Sequence, residues 1–250
     1  MKLKYVLLNM GLVILFFSNC SANYGVSEPE MNEAQDLNED TTPPNQTGLI
    51  KILALGDSYT IGESVCDTCR FPEQLKDSIK AKNPDRGAEL KVIARTGWTT
   101  TNLKNAISNE ILSQDYDLVT LLIGVNNQFQ GRPFDLFEKE FPELVTEAIK
   151  YASGKKKNLI VISIPDYAFT PFGKANSAIS QGINLYNDYT RTYCEANNIT
   201  YVFITDITRQ GIEKPELVAS DGLHPSTLAY SKFVTRILPF ALEKIGYNSN

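Results

Sequence analysis

The sequence predicts an α/β domain, a three-layer α/β/α sandwich around a five-stranded parallel sheet. Three observations carry this. Five short apolar runs alternate with helical patterns along the chain, which is the signature of βα units. The first and third runs are continuously hydrophobic, as strands covered on both faces must be. The patterned stretch, from about residue 49 to residue 247, is the length of one such domain.

The elements follow in order. Residues 49–58, LIKILALGDS, form an apolar run that ends in Gly-Asp-Ser. Pro72 opens PEQLKDSIKAK, a helix with proline in its first turn. Residues 89–94, ELKVIA, give the second strand, and 99–110 the next helix. Residues 116–124, YDLVTLLIG, give the third strand. In 135–152 the residues Leu136, Phe137, Phe141, Leu144, Val145 and Ile149 recur at helical spacing. Residues 158–165 form the fourth strand, 178–196 a helix, 200–204 the fifth strand and 227–245 a closing helix. Crossovers in such a sheet are right-handed.

The N-terminus reads differently. Lys2 and Lys4 precede an apolar run at 5–17 that is too short to span a bilayer, and residues 1–19 read as a signal peptide. FFSNC then ends at Cys20 and resembles a bacterial lipobox, with Asn19 where a small residue is usual. Lipidation at Cys20 and ordinary cleavage nearby both lead to export, and the first places the protein on a membrane through a lipid anchor. Residues 20–48 carry six acidic residues, no Lys or Arg from Ser21 onward, and Pro43-Pro44. They read as a disordered acidic tether of roughly 30 Å reach, and 49–250 as the domain. A net charge of −5 argues against a nucleic-acid partner, which leaves a basic footprint.

Three further cysteines remain. Cys66 and Cys69 form a C-x-x-C pair. A disulfide pinning a loop is permitted in an exported protein. A redox pair needs a strand-to-helix turn, and a zinc site needs more ligands than one His and one distant Cys supply. Cys194 is expected as a free, buried thiol.

In parallel α/β sheets ligands sit at the carboxyl ends of the strands. Those ends carry Gly56-Asp57-Ser58, Arg95-Thr96-Gly97, Gly124-Val125-Asn126-Asn127 and Pro165-Asp166-Tyr167. The only histidine of the chain, His224, lies in SDGLHPS, just before the last helix. A serine needs a base to take its proton, and His224 is the only imidazole available. Asp221, with Gly222 allowing a tight turn, is spaced to hold one ring nitrogen while the other faces Ser58. The backbone N–H of Ser58, the N–H of Gly97 and the Asn126 amide are candidate donors to an oxyanion.

With these residues assembled, the chain resembles the GDSL/SGNH hydrolase family. GDSYT resembles its first motif, RTGWT the glycine motif, GVNN the asparagine motif and DGLHP the last. The resemblance implies a flavodoxin-like sandwich and hydrolysis of esters or thioesters by Ser58, His224 and Asp221, without metal or nucleotide. It also implies a small-molecule substrate, a lipid ester or an acylated carbohydrate. Two positions depart from the pattern: Tyr59-Thr60 follow the serine where Leu is common, and Asn127 stands where Asp is usual. Tyr167, Phe169 and Phe172 are candidates either for an acyl pocket or for packing a loop. Asp166 is read as a substrate contact or a turn residue, Arg132 as an anion contact or a solvated surface group, and Asp57 as an organiser of the serine loop. The competing reading is a surface lipoprotein that binds glycan or lipid with little turnover.

Overall fold

The computed structural model describes residues 48–247. The signal peptide, Cys20 and nearly all of the tether lie outside the described residues.

Strand β1 (Ile50–Gly56), an interior strand of the sheet, is followed by the short helix α1 (Ser58–Ile61) and by α2 (Phe71–Lys82). Then come β2 (Ala88–Ala94), α3 (Thr100–Ser108), β3 (Leu118–Leu122), α4 (Val125–Phe129) and α5 (Phe134–Tyr151). The chain closes with β4 (Leu159–Ile162), α6 (Ser177–Ala196), β5 (Thr200–Val202), α7 (Thr205–Thr208) and α8 (Thr227–Lys244). All strand pairs are parallel, in the order β2-β1-β3-β4-β5. The five parallel strands and alternating helices are those the sequence predicts.

Burial explains the strand compositions. Every residue of β3 and β4 is buried, so both faces must be apolar. The edge strand β2 is half-exposed and alternates, AELKVIA. Helix α2 packs on α8, and α3 on α5. Helices α5 and α6 meet through aromatic rings, Phe137 on Tyr186 with centroids 4.6 Å apart and Phe141 on Tyr193 at 5.6 Å. Such pairs add about 0.5–1.5 kcal/mol beyond the area they bury.

Strand order reverses at β1, whose successor β2 lies on one side and β3 on the other. The crevice at the carboxyl ends of β1 and β3 is therefore the topological switch point, where ligands bind in open α/β sheets.

Three strands are shorter than the apolar runs suggest, one because of a glycine turn and two because of polar side chains. The run 116–124 pairs only over Leu118–Leu122, because Gly124 turns the backbone with φ +127°. The fourth and fifth runs stop at Ile162 and Val202. Beyond them Ser163 Oγ accepts the N–H groups of Ile204 and Thr205, and the Asn187 side chain accepts from Ile164 N–H and donates to Ile164 C=O. Side chains thus replace the ladder. Helices α1 and α4, not expected from the sequence, are each about one turn long and sit at the ends of β1 and β3.

Candidate active site

Ser58 begins α1 directly after β1. The chain turns there because Asp57 caps the helix, its Oδ1 accepting the Tyr59 N–H at 3.1 Å. The turn is tight. A Cβ on Gly56 would stand 2.5 Å from Leu122 O and 2.1 Å from Thr60 Oγ1, so only glycine lets β1 run this close to β3 before turning.

The loop before α8 is held by backbone bonds. Ala219 N–H donates to His224 O at 2.7 Å and Ser226 N–H to Leu217 O at 2.9 Å. Within it Asp221 Oδ1 accepts the N–H groups of Leu223 and His224 at 2.9 and 3.0 Å. Asp221 Oδ2 lies 2.6 Å from His224 Nδ1 and accepts the Ser64 hydroxyl at 2.7 Å. A carboxylate so placed makes Nδ1 the proton-bearing nitrogen and leaves Nε2 as the acceptor. Partial burial raises the Asp221 carboxyl pKa. The hydrogen bonds from the His224 ring, the His224 N–H, Ser64 and Leu223 outweigh that and hold it well below the usual carboxylate range.

Ser58 and His224 line one cavity of about 170 Å³ together with Gly97, Asn126, Phe129 and Tyr167. The His224 ring is buried and packs against Tyr59, centroids 5.3 Å apart. Among the described residues no hydrogen bond joins Ser58 Oγ to the ring. Nucleophile–base contacts are often loose in unliganded sites and tighten around substrate.

Gly97 sits at φ +82°, a conformation that side chains disfavour, and its C=O accepts the Gln130 side-chain amide at 2.8 Å. Asn126 Nδ2 donates to Trp98 O at 3.1 Å, which fixes the amide where the residue lines the cavity. Asn127, one residue on, faces away. It accepts from Thr100 N–H and donates to Thr100 Oγ1, which in turn donates to Glu140 at 2.5 Å. Thr101 Oγ1 lies 2.8 Å from the same carboxylate. Asn127 therefore ties the start of α3 to the end of β3 behind Asn126.

The remaining sequence candidates separate. Tyr167 lines the cavity, its hydroxyl donating to Gln128. Phe172 packs at a tilt against Tyr167 and Phe129, with Phe129 and Phe172 about half-exposed at the rim. Phe129 carries no signal in the sequence beyond following the asparagine motif. Phe169 lies outside that cavity lining. Asp166 satisfies a turn, capping Ala168 N–H, and pairs with Arg209 at 2.9 Å. Arg132 is exposed beside Gln130. Cys66 and Cys69 are bonded to each other, and Cys194 is a buried free thiol whose pKa burial pushes up to about 12. Ser64, which grips Asp221, was not foreseen; nothing in its local sequence marks it. A larger groove of about 800 Å³ lies against α3 and α5, far from these residues. Its charges are already paired, Lys104 with Glu143 and Lys150 with Glu147.

The model of a family described as GDSL-like lipase/acylhydrolase matches residues 54–232. No curated protein matches the chain. Among solved structures, a member of the lipolytic G-D-S-L family from Veillonella parvula is 17% identical over 76% of this chain and 97% of its own, with TM-score 0.59. An acetyl xylan esterase from Geobacillus stearothermophilus is 19% identical over 82% and 99%, with TM-score 0.61. A lipase/acylhydrolase from Enterococcus faecalis is 20% identical over 76% and 94%, also with TM-score 0.61. At these identities the structures speak for the fold.

Proposed function

The chain belongs to the GDSL-like lipase/acylhydrolase family and is an ester-bond hydrolase, and from that premise we propose that it works through an acyl-enzyme on Ser58, with His224 as base and Asp221 as the group that orients it. The observation that carries this is the Asp221–His224 pair at 2.6 Å, set across one cavity from Ser58. Ser58 Oγ attacks the ester carbonyl carbon and its proton passes to His224 Nε2. The carbonyl oxygen gains the charge and meets the Ser58 and Gly97 N–H groups and the Asn126 amide. The C–O bond to the alcohol then breaks, and the imidazolium returns its proton to the leaving oxygen. Water repeats the sequence in the second half, and the acid and Ser58 are restored.

For the substrate we propose a small acyl group, seated in the 170 Å³ cavity against Val125 and Leu223, with the alcohol portion leaving across the half-exposed Phe129 and Phe172. A p-nitrophenyl ester series from acetate to palmitate tests this. Activity is expected to peak at short chains and to vanish after treatment with an active-serine phosphonate. A maximum at long chains refutes the substrate class. Full activity after phosphonate treatment refutes the serine mechanism.

We further propose that the enzyme is exported and held to a membrane by lipid on Cys20. The support is the Lys2/Lys4 start and the short apolar run that ends there. Cys20→Ser is expected to release the protein into the soluble fraction. Membrane retention by that variant refutes the anchor.

A further inference from the structure

Ser64 lies six residues past the proposed nucleophile, on the loop that leaves α1. Its backbone is left-handed, φ +66°, a conformation that costs a non-glycine residue free energy and that persists where surrounding contacts fix it. Those contacts are present. Gly62 and Glu63 N–H both donate to Ser58 O, and Val65 N–H donates to Gly62 O. The Glu63 carboxylate accepts the Thr96 hydroxyl from the end of β2. Just beyond Val65 the loop is closed by the Cys66–Cys69 disulfide.

The strained residue points its hydroxyl at Asp221 Oδ2, 2.7 Å away and 157 residues along the chain. That is the oxygen which holds His224 Nδ1. The hydrogen bond therefore joins the element that carries Ser58 to the element that carries His224. Another contact between them is the packing of the Tyr59 ring, tilted by 55°, against the imidazole, which holds neither ring nitrogen.

We propose that Ser64 is a positioning residue: its hydroxyl fixes the Asp221 carboxylate, and through it the His224 ring, in register with the nucleophile. This rests on the reading of Asp221 and His224 as the acid–base pair. Oδ2 receives two donors, and the direction of each constrains the other. With Ser64 in place the carboxylate plane cannot rotate about its side-chain bond without breaking a charge-assisted bond. Without it, the two backbone donors hold Oδ1 alone and Oδ2 swings with the ring. The hydroxyl touches no reacting atom, so its effect falls on the rate of proton transfer and not on substrate binding.

The left-handed backbone supplies a clean test. Ser64→Gly removes the hydroxyl and relieves the strain, so a purely structural role for the loop predicts no loss. Ser64→Ala removes the hydroxyl and keeps the strain. Each variant of the full protein is assayed on p-nitrophenyl acetate, melted, and examined by proton NMR. In a protein with one histidine there is one hydrogen-bonded imidazole Nδ1–H signal. The expected result for Ser64→Gly is a Tm equal to or above wild type, kcat lower by roughly ten-fold, KM within about two-fold, and a displaced Nδ1–H signal. Ser64→Ala is expected to give the same kinetic loss and the same displacement. Wild-type kcat in both variants, or an unmoved signal, overturns the proposal. A loss confined to KM overturns it as well. If the wild-type protein itself fails to turn over esters, the proposed function falls, and the NMR signal alone then decides the role of Ser64.

Discussion

Replacing Asp57 by asparagine is expected to stabilise the protein at neutral and alkaline pH and to leave it nearly unchanged near pH 4. Asp57 is fully buried. One carboxyl oxygen accepts the Tyr59 N–H, while Oδ2 is buried without a hydrogen bond of normal geometry. Burial pushes the carboxyl up to about 7 from its ordinary 3.8, and the Tyr59 N–H, its own N–H and the nearby Asn126 amide oppose it only in part. The sign follows from proton counting. Between the unfolded and folded values the native state keeps a proton that the unfolded chain releases, so stability falls as pH rises through that window. About three pH units at 1.36 kcal/mol each amount to about 4 kcal/mol, all of it lost above pH 7. Asparagine carries no charge at any pH and keeps the carbonyl that Tyr59 N–H needs. The difference in stability between variant and wild type should therefore widen by about 4 kcal/mol from pH 4 to pH 8, on the order of 10 °C in Tm for a domain of this size. Melting curves of both proteins across the range, followed by circular dichroism, supply the numbers. Parallel curves, with a constant offset at every pH, would mean that Asp57 is ionised throughout and that the burial argument is wrong.

Ser58→Ala should keep the fold and lower kcat below about a thousandth of wild type; a smaller loss places the nucleophile elsewhere. Asn126→Ala should lower kcat by about 10²–10³ with a lesser change in KM, because the amide is proposed to stabilise the oxygen only once charge develops there; a pure KM effect would make it a substrate contact. The fall in kcat/KM on acidification should follow the ring-proton NMR titration of His224 and survive in Asp57→Asn; loss of that limb in Asp57→Asn would assign it to the buried carboxyl. Asn127→Asp should destabilise the protein by about 2–4 kcal/mol, with Glu140→Gln in the same chain restoring part of it; additive effects of the two changes in a double-mutant cycle would show that the residues do not share a proton.

The sheet was legible because β1, β3 and the helices between them carry their burial in composition. The ends of β4 and β5 were not, since apolar residues continue past them and only the side chains of Ser163 and Asn187, drawn from distant positions, stop the ladder. The candidate site divides in the same way. Ser58, Gly97, Asn126, Asp221 and His224 stand at strand ends or before a helix, and the residues that recommend them are their sequence neighbours. Asp166 was ambiguous for the opposite reason. Its role as a turn residue depends on Arg209, which no local pattern connects to it.

Asn127 shows what a departure from a family pattern means once its surroundings are known. An aspartate there would accept hydrogen bonds and donate none. Thr100 Oγ1, which lies between residue 127 and Glu140, has one proton to give. Glu140 already takes it, at 2.5 Å. An aspartate at 127 and a glutamate at 140 would compete for that one proton across a buried hydroxyl, even though Glu140 also accepts the Thr101 hydroxyl. Asparagine removes the conflict by donating to Thr100 Oγ1 at 2.7 Å while still accepting Thr100 N–H at 3.0 Å. The amide at 127 and the carboxylate at 140 are thus one choice made at two positions, 13 residues apart and joined through a third. Ser64 and Asp221 stand in the same relation. In both cases the side chain that reads as incidental in sequence completes the hydrogen bonding of one that does not.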